Sequence, residues 1–238
     1  MKLDLLAFGA HPDDVELGAG ATIATEISLG KKVGIIDLTR GELGSRGSAA
    51  IRDQEAATAA NILGVSVREN MNFPDGFFQN TPALQLEIIA KIRQYQPEVV
   101  FCNAIRDRHI DHGKGSALVS DACFLSGLVK IETKGPAGET QQPWRPKQVY
   151  HYIQWKNITP DFVINVSDYM DKKQEAILAY SSQFYDPNSD AQTPISSKNF
   201  LDSVRYRAQD LGRLIGVAAA EGFTAERPVA VERLDSLI

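Results

Sequence analysis

Short apolar runs alternate with helical patterns from the start of this 238-residue chain, and that alternation limits its architecture more than any other feature. Leu3 to Phe8 is one such run, ending at Gly9, and Val33 to Leu38 is a second, entered from Gly30-Lys31-Lys32. Val65 to Met71 is a weaker third, and Val99 to Cys102 is a fourth, set up by Pro97. Continuous apolar runs of this length suit strands covered on both faces, as in a parallel sheet. Between them, Leu84, Ile88, Ile92 and Tyr95 recur at helical spacing within 81–95, and the alanine-rich stretch 49–62, with Ile51 and Ile62, predicts a helix that can approach a sheet closely. The order implies right-handed βαβ units. We therefore expect an α/β fold, Rossmann-like, with a mostly parallel sheet in the order 3-2-1-4-5 and helices on both faces. Its core should occupy residues 1 to about 127, with 128–238 as an extension of the same domain.

In that extension, Gly135 to Pro146 carries Pro136, Gly138, Pro143 and Pro146 and reads as a loop. Val149 to Ile153 and Phe162 to Val166 resume strand patterning, and 170–182 and 198–217 read as helices. Phe200, Val204, Leu211, Leu214 and Ile215 form one face of the latter, with Arg205, Arg207, Asp210 and Arg213 elsewhere.

Composition removes several function classes. With 43% hydrophobic and 23% charged residues the chain is not a disordered segment. A net charge of −5 lacks the footprint of a nucleic-acid binder. No apolar stretch reaches about 18 residues, so no membrane helix is expected. Cys102 and Cys123 sit in apolar or helical surroundings and read as small buried hydrophobes. Asp4 lies where a signal peptide would be apolar, which makes the cytoplasm the expected location.

The chemistry is concentrated at two strand ends. Ala10-His11-Pro12-Asp13-Asp14 follows the first strand, and His109-Ile110-Asp111-His112 follows the fourth; together they hold three of the four histidines. In the order 3-2-1-4-5, strands one and four are neighbours and the topology reverses between them, so the loops leaving their carboxyl ends border the ligand crevice. His11 and His112 should therefore meet. Two imidazoles and a carboxylate form a standard ligand set for catalytic zinc, which lowers the pKa of a bound water from about 15.7 to about 7. A second carboxylate then takes the water's proton, and the adjacent Asp13 and Asp14 can divide those roles in a turn stiffened by Pro12. His109 can stabilise an oxyanion or protonate a leaving amine, and Asp111 can orient His109 or another ligand.

Three other readings use parts of the same pattern. Gly18-Ala19-Gly20 and Asp37 suggest a dinucleotide site, but position 23 is Ile where the third glycine belongs. Two histidines and one carboxylate also make the facial triad of a non-haem Fe(II) oxygenase, although the extra Asp13 suits hydrolysis better. A sugar-binding module with a relic site would not need the full set of residues.

His-Pro-Asp-Asp after the first strand, with His-x-Asp-His about a hundred residues later, resembles the LmbE-like (PIG-L) zinc deacetylases. Leu38 to Gly47, Arg52 with Glu55, Pro74-Asp75-Gly76, Ser182-Gln183 and Gly212 to Gly216 resemble the bacillithiol-biosynthesis branch, so the likeness covers nearly the whole chain. It implies His11, Asp14 and His112 as metal ligands, Asp13 as general base, and His109 as partner of the tetrahedral intermediate with Asp111 tuning it. It implies Zn2+, with Fe2+ as an alternative, and a homo-oligomer acting on a small amino-sugar, with neither nucleic acid nor membrane as partner. The branch's substrate is N-acetylglucosaminyl-malate, whose two carboxylates call for guanidinium groups. Arg52 is the first candidate, then Arg46, with Arg106 and Arg108 behind them; Glu42 contacts the sugar or caps its loop, and Asp75-Gly76 reads as a turn. Tyr185 and His151 read as packing residues, His151 in the core or at an interface.

Overall fold

The computed structural model describes residues 1–185 and 193–236. In chain order the elements are β1 (Leu5–Gly9), α1 (Asp14–Ser28), β2 (Val33–Asp37), α2 (Ala49–Leu63), β3 (Val67–Asn70), α3 (Pro82–Tyr95), β4 (Val99–Cys102) and α4 (Ile110–Leu125). The extension adds β5 (Gln148–Tyr152), β6 (Phe162–Asn165), α5 (Met170–Leu178), α6 (Lys198–Leu214) and β7 (Ala220–Ala225). The strands form one sheet in the order β3-β2-β1-β4-β5-β7-β6. The first five are mutually parallel, as expected, and β7 runs antiparallel between β5 and β6.

Side-chain alternation along the strands builds both faces. Leu6 and Phe8 of β1 join Ile36, Val100 and Cys102 under α3 and α4, where Ile88, Ile92, Leu118 and Val119 meet them. Leu5 and Ala7 point the other way, with Val33, Ile35 and Phe101, into Ile23 of α1, Ala59 and Leu63 of α2, and Ile177 of α5. Local chemistry sets the helix ends. Ser48 Oγ accepts from the Ile51 N–H (3.3 Å) at the start of α2, and Gly64 closes that helix at φ 85°. Thr81 and Pro82 open α3. Gly18 is required by packing: a Cβ there would lie 2.1 Å from Tyr152 Cδ2.

Several boundaries and one element differ from expectation. β1 starts at Leu5, α5 ends at Leu178, and α6 ends at Leu214 before Gly216 at φ 75°. β7, Ala-Glu-Gly-Phe-Thr-Ala, carries no apolar run to announce it. Its buried Glu221 is matched by Lys173 at 2.5 Å and by the Ala21 and Thr22 N–H groups (3.2 and 2.7 Å). Both cysteines are buried and free. His151 is a core residue, with Nδ1 2.8 Å from Ser116 Oγ and 3.2 Å from Cys102 Sγ and Nε2 3.1 Å from Glu226. No described helix is long and apolar enough to cross a membrane.

The β1–β2–β3 side is tied together by buried charge. Arg68 of β3 donates to both oxygens of Asp37 (2.8 and 2.9 Å), to Glu16 (2.6 Å) and to the Tyr180 hydroxyl (2.9 Å). Burial pushes the Asp37 carboxyl up to about 6 against the pull of Arg68. Removing the cation leaves two carboxylates without compensation, so Arg68→Leu should cost about 3–5 kcal/mol in urea unfolding, whereas Arg205→Ala, which loses only exposed contacts, the ion pair with Asp171 among them, should cost under about 1 kcal/mol. Equal losses would show that the buried network does not stabilise the fold.

Candidate metal centre and active site

β1 and β4 lie side by side, with Leu5 opposite Val99 and Ala7 opposite Phe101, so the loops leaving their carboxyl ends open onto one crevice. The first loop places His11 and passes through Asp13 at φ 112°, a left-handed conformation that a non-glycine residue holds only when its surroundings impose it. The turn brings Asp14 to the first residue of α1. The second loop delivers His109 and His112 to the start of α4, where His109 Nδ1 accepts the Asp111 N–H (3.3 Å) in place of a hydroxyl cap. The crevice is a cavity of about 420 Å3 lined by His11, Asp13, Asp14, His109 and His112. A larger cavity of about 720 Å3 lies between Trp155 and α6, and Asp210 is the sole carboxylate on its walls among the described residues.

The three motif histidines converge. The rings of His11 and His109 are 4.6 Å apart at their centroids, those of His109 and His112 5.3 Å, and those of His11 and His112 5.8 Å. Ring nitrogens of these three lie within 4.8 Å of one another, and so do atoms of His11, Asp75 and Asp111. Hydrogen bonding separates the two groupings. His11 Nε2 is 3.0 Å from Asp75 Oδ1 and 3.4 Å from Asp111 Oδ2, which makes that nitrogen the protonated one. His112 Nδ1 is 2.6 Å from Asp107 Oδ2. The nitrogens left over both face Asp14, with His112 Nε2 3.1 Å from Oδ1 and His11 Nδ1 3.5 Å from Oδ2. Each imidazole thus has a carboxylate behind it and its second nitrogen turned to the shared Asp14 carboxylate in front, the arrangement that orients histidine toward a metal once that nitrogen gives up its proton. Asp75 and Asp111 are already engaged, Asp75 by the Leu43 N–H (2.9 Å) and Asp111 by the Gly76 N–H (2.7 Å) and Lys114 (3.1 Å).

Asp14 is fixed from several sides. It accepts from the His11 N–H (2.9 Å), Asn103 Nδ2 (3.0 Å) and Gln154 Nε2 (2.8 Å). Burial works against its charge, but His112 and His11 hold it well below the usual carboxylate range. Burial likewise opposes charge on His112, yet Asp14 and Asp107 raise it to about 9. His11 is raised too, against its burial, by Asp111, Asp14 and Asp75. Two imidazoles that attract protons this strongly mark a site that accommodates positive charge, as a divalent cation would supply it.

Asp13 faces the cavity from the same turn. Burial and the neighbouring Asp14 lift it to about 7, although Arg52 pulls it down through a 2.9 Å ion pair. His109 is half-buried, and desolvation with the charges of His11 and His112 lowers its pKa, leaving a neutral ring. Because Nδ1 accepts the Asp111 N–H, Nε2 carries the proton.

The structure corrects the expectations for Arg52 and Arg46 and selects one of two alternatives for Asp111 and Glu42. Asp111 sends its carboxylate to His11, not to His109. Arg52 is buried, and its guanidinium is held by Asp13 and the carbonyl oxygens of Pro12 and Gly41, so it is not free for a substrate carboxylate. Arg46 donates to the Phe184 carbonyl (2.9 Å) and does not line the cavity. Glu42 caps its own loop by accepting the Asp75 N–H (2.9 Å) and the Arg40 N–H (3.2 Å). Tyr185 is also off the cavity wall. Four residues at the site went unrecognised: Asp75, Asp107, Asn103 and Gln154. Pro74-Asp75-Gly76 has the composition of a turn, and Asp107 sits between two arginines like a surface ion pair. Only the fold turns their side chains inward.

Comparison with known proteins agrees with this geometry. A diacetylchitobiose deacetylase from Thermococcus kodakarensis is 27% identical over 190 residues, 76% of this chain and 70% of that protein. An uncharacterized deacetylase from Escherichia coli is 36% identical over 115 residues, 45% of this chain and 61% of that one. The crystal structure of a conserved protein from Thermus thermophilus superposes with a TM-score of 0.87 at 35% identity, covering 98% of both chains. Residues 6–123, which contain both histidine motifs and the strands that bring them together, match the model of the PIG-L family, described as GlcNAc-PI de-N-acetylase, and the chain belongs to that family.

Proposed function

We propose that the chain is a metal-dependent amide hydrolase that removes the acetyl group from an N-acetylglucosamine conjugate, and that N-acetylglucosaminyl-malate, the substrate of the bacillithiol route, is the conjugate. The observation that carries this reading is the pair of imidazoles with opposite-side carboxylates, both facing Asp14, with Asp13 poised beside them. The family description and the name of the Thermococcus relative support the N-acetylglucosamine class.

His11 Nδ1, His112 Nε2 and the Asp14 carboxylate would hold the metal, Zn2+ or alternatively Fe2+. When bound, such an ion polarises an amide carbonyl and makes water acidic enough to attack near neutral pH. The protein's own groups do the rest. Asp13 takes a proton from the attacking water, and a carboxylate at about 7 is well matched to that task. Arg52 keeps it aimed and ionisable. The His109 Nε2–H donates to the oxyanion of the tetrahedral intermediate, a role open to a neutral ring because its Nδ1 already accepts the Asp111 N–H. As the C–N bond breaks, Asp13 returns the proton to the departing amine, so water and amide become acetate and amino-sugar.

Asp13→Asn should retain metal while acetate release falls about 10²- to 10⁴-fold, and Asp14→Asn should emerge metal-free. Metal content by mass spectrometry, with acetate assayed on a panel of N-acetylglucosaminides, reads both; a metal-free Asp13 variant beside a loaded Asp14 variant would reverse the two roles. Asp107→Asn removes the charge behind His112 and should weaken metal affinity about 10- to 100-fold in a chelator titration. Unchanged affinity would show that Asp107 serves only the 154–156 loop.

A further inference from the structure

Three arginines line the catalytic cavity, and two of them are already committed. Arg52 holds Asp13. Arg207 donates to the carbonyl oxygens of Gln154 and Trp155. The third, Arg108, is exposed and forms no ion pair among the described residues. Its neighbour Asp107 does not neutralise it, because the carboxylate of Asp107 is taken by His112 Nδ1 (2.6 Å) and by the Lys156 and Trp155 N–H groups (2.7 and 3.3 Å).

Arg108 is nevertheless placed. Its guanidinium carbon lies 4.7 Å from the centroid of Trp155, a stacking distance that desolvates one face of the fork and leaves its edge for a ligand. Trp155 is a fixed platform: its N–H is on Asp107, its carbonyl on Arg207, and its ring stacks on Phe200 at 5.4 Å and 18°. The cavity therefore has two electrostatic ends. Its floor gathers Asp13, Asp14 and Asp75 around the histidines, which suits a cation, while its rim presents a guanidinium with no internal partner among the described residues. In a chain of net charge −5, that rim is a local reversal of sign.

We propose that Arg108, backed by Trp155, determines specificity by binding an anionic group, carboxylate or phosphate, on the part of the substrate remote from the acetamide. The assignment rests on the deacetylase reading and gives to Arg108 the recognition that Arg52 is not free to perform. A bidentate fork–fork contact of this kind raises affinity by about 10- to 100-fold and sets which conjugate is preferred.

The test measures kcat/KM for three substrates: methyl N-acetylglucosaminide, N-acetylglucosaminyl-malate and N-acetylglucosamine 1-phosphate. Wild type is compared with Arg108→Gln and Arg108→Lys, each checked for folding by circular dichroism and for metal content. The expected result is a fall of about 10- to 100-fold in the ratio of an anionic substrate to the neutral one in Arg108→Gln, carried by KM, with partial recovery in Arg108→Lys. Loss confined to the malate conjugate identifies the carboxylate as the partner, and loss confined to the phosphate identifies that group. A ratio unchanged in an active Arg108→Gln enzyme overturns the assignment and leaves the deacetylase reading standing. A metal-loaded wild type that releases acetate from none of the three overturns both.

Discussion

The carboxylate of Asp14 gathers hydrogen bonds and charge from four separate parts of the chain. The loop after β1 contributes the His11 N–H, the end of β4 contributes Asn103, the loop after β5 contributes Gln154, and α4 contributes His112. None of these groups would meet without the β1–β4 pairing at the point where the sheet's order reverses. A buried carboxylate held this way is costly unless its charge is compensated, and the compensation is the site itself: imidazoles in front, amides behind. The strained backbone of Asp13 follows from the same constraint, since the turn must bring Asp14 onto α1 while leaving Asp13 free to face the cavity.

Around that carboxylate the charges are layered. Asp75, Asp111 and Asp107 each sit on the far side of a histidine and are themselves held by backbone N–H groups of loops 43, 76 and 154–156. Loop conformation and ring orientation are therefore coupled. The same loops carry the cavity's rim, so the residues that aim the histidines also decide what can reach them. Arg52 links this layer to α2, and Arg68 with Asp37 and Glu16 supports it from the sheet below.

Much of this was legible in the sequence because two simple regularities carried it. Apolar runs without alternation signalled buried parallel strands, and the clustering of His11, His109 and His112 at two strand ends signalled a shared site. Less legible were groups whose meaning depends on where the fold points them. Arg52 on a helix with Glu55 three residues on has the pattern of a solvated pair; in the fold Glu55 turns to the Ser182 N–H (2.7 Å) and Arg52 to Asp13. Asp75 and Asp107 look like turn and surface residues, and β7 is hidden because a buried Glu221 replaces the expected apolar residue. Isolated polar residues give no periodicity, so their partners appear only with the tertiary structure.

Anomalous-scattering crystallography of the zinc-loaded protein tests the central claim most directly. One peak is expected, bounded by His11 Nδ1, His112 Nε2 and the Asp14 carboxylate, with Zn–N distances of about 2.0–2.1 Å and with Asp75 and Asp107 still behind the rings. A peak on the other side of His11, coordinated by Nε2, Asp75 and Asp111, would contradict it.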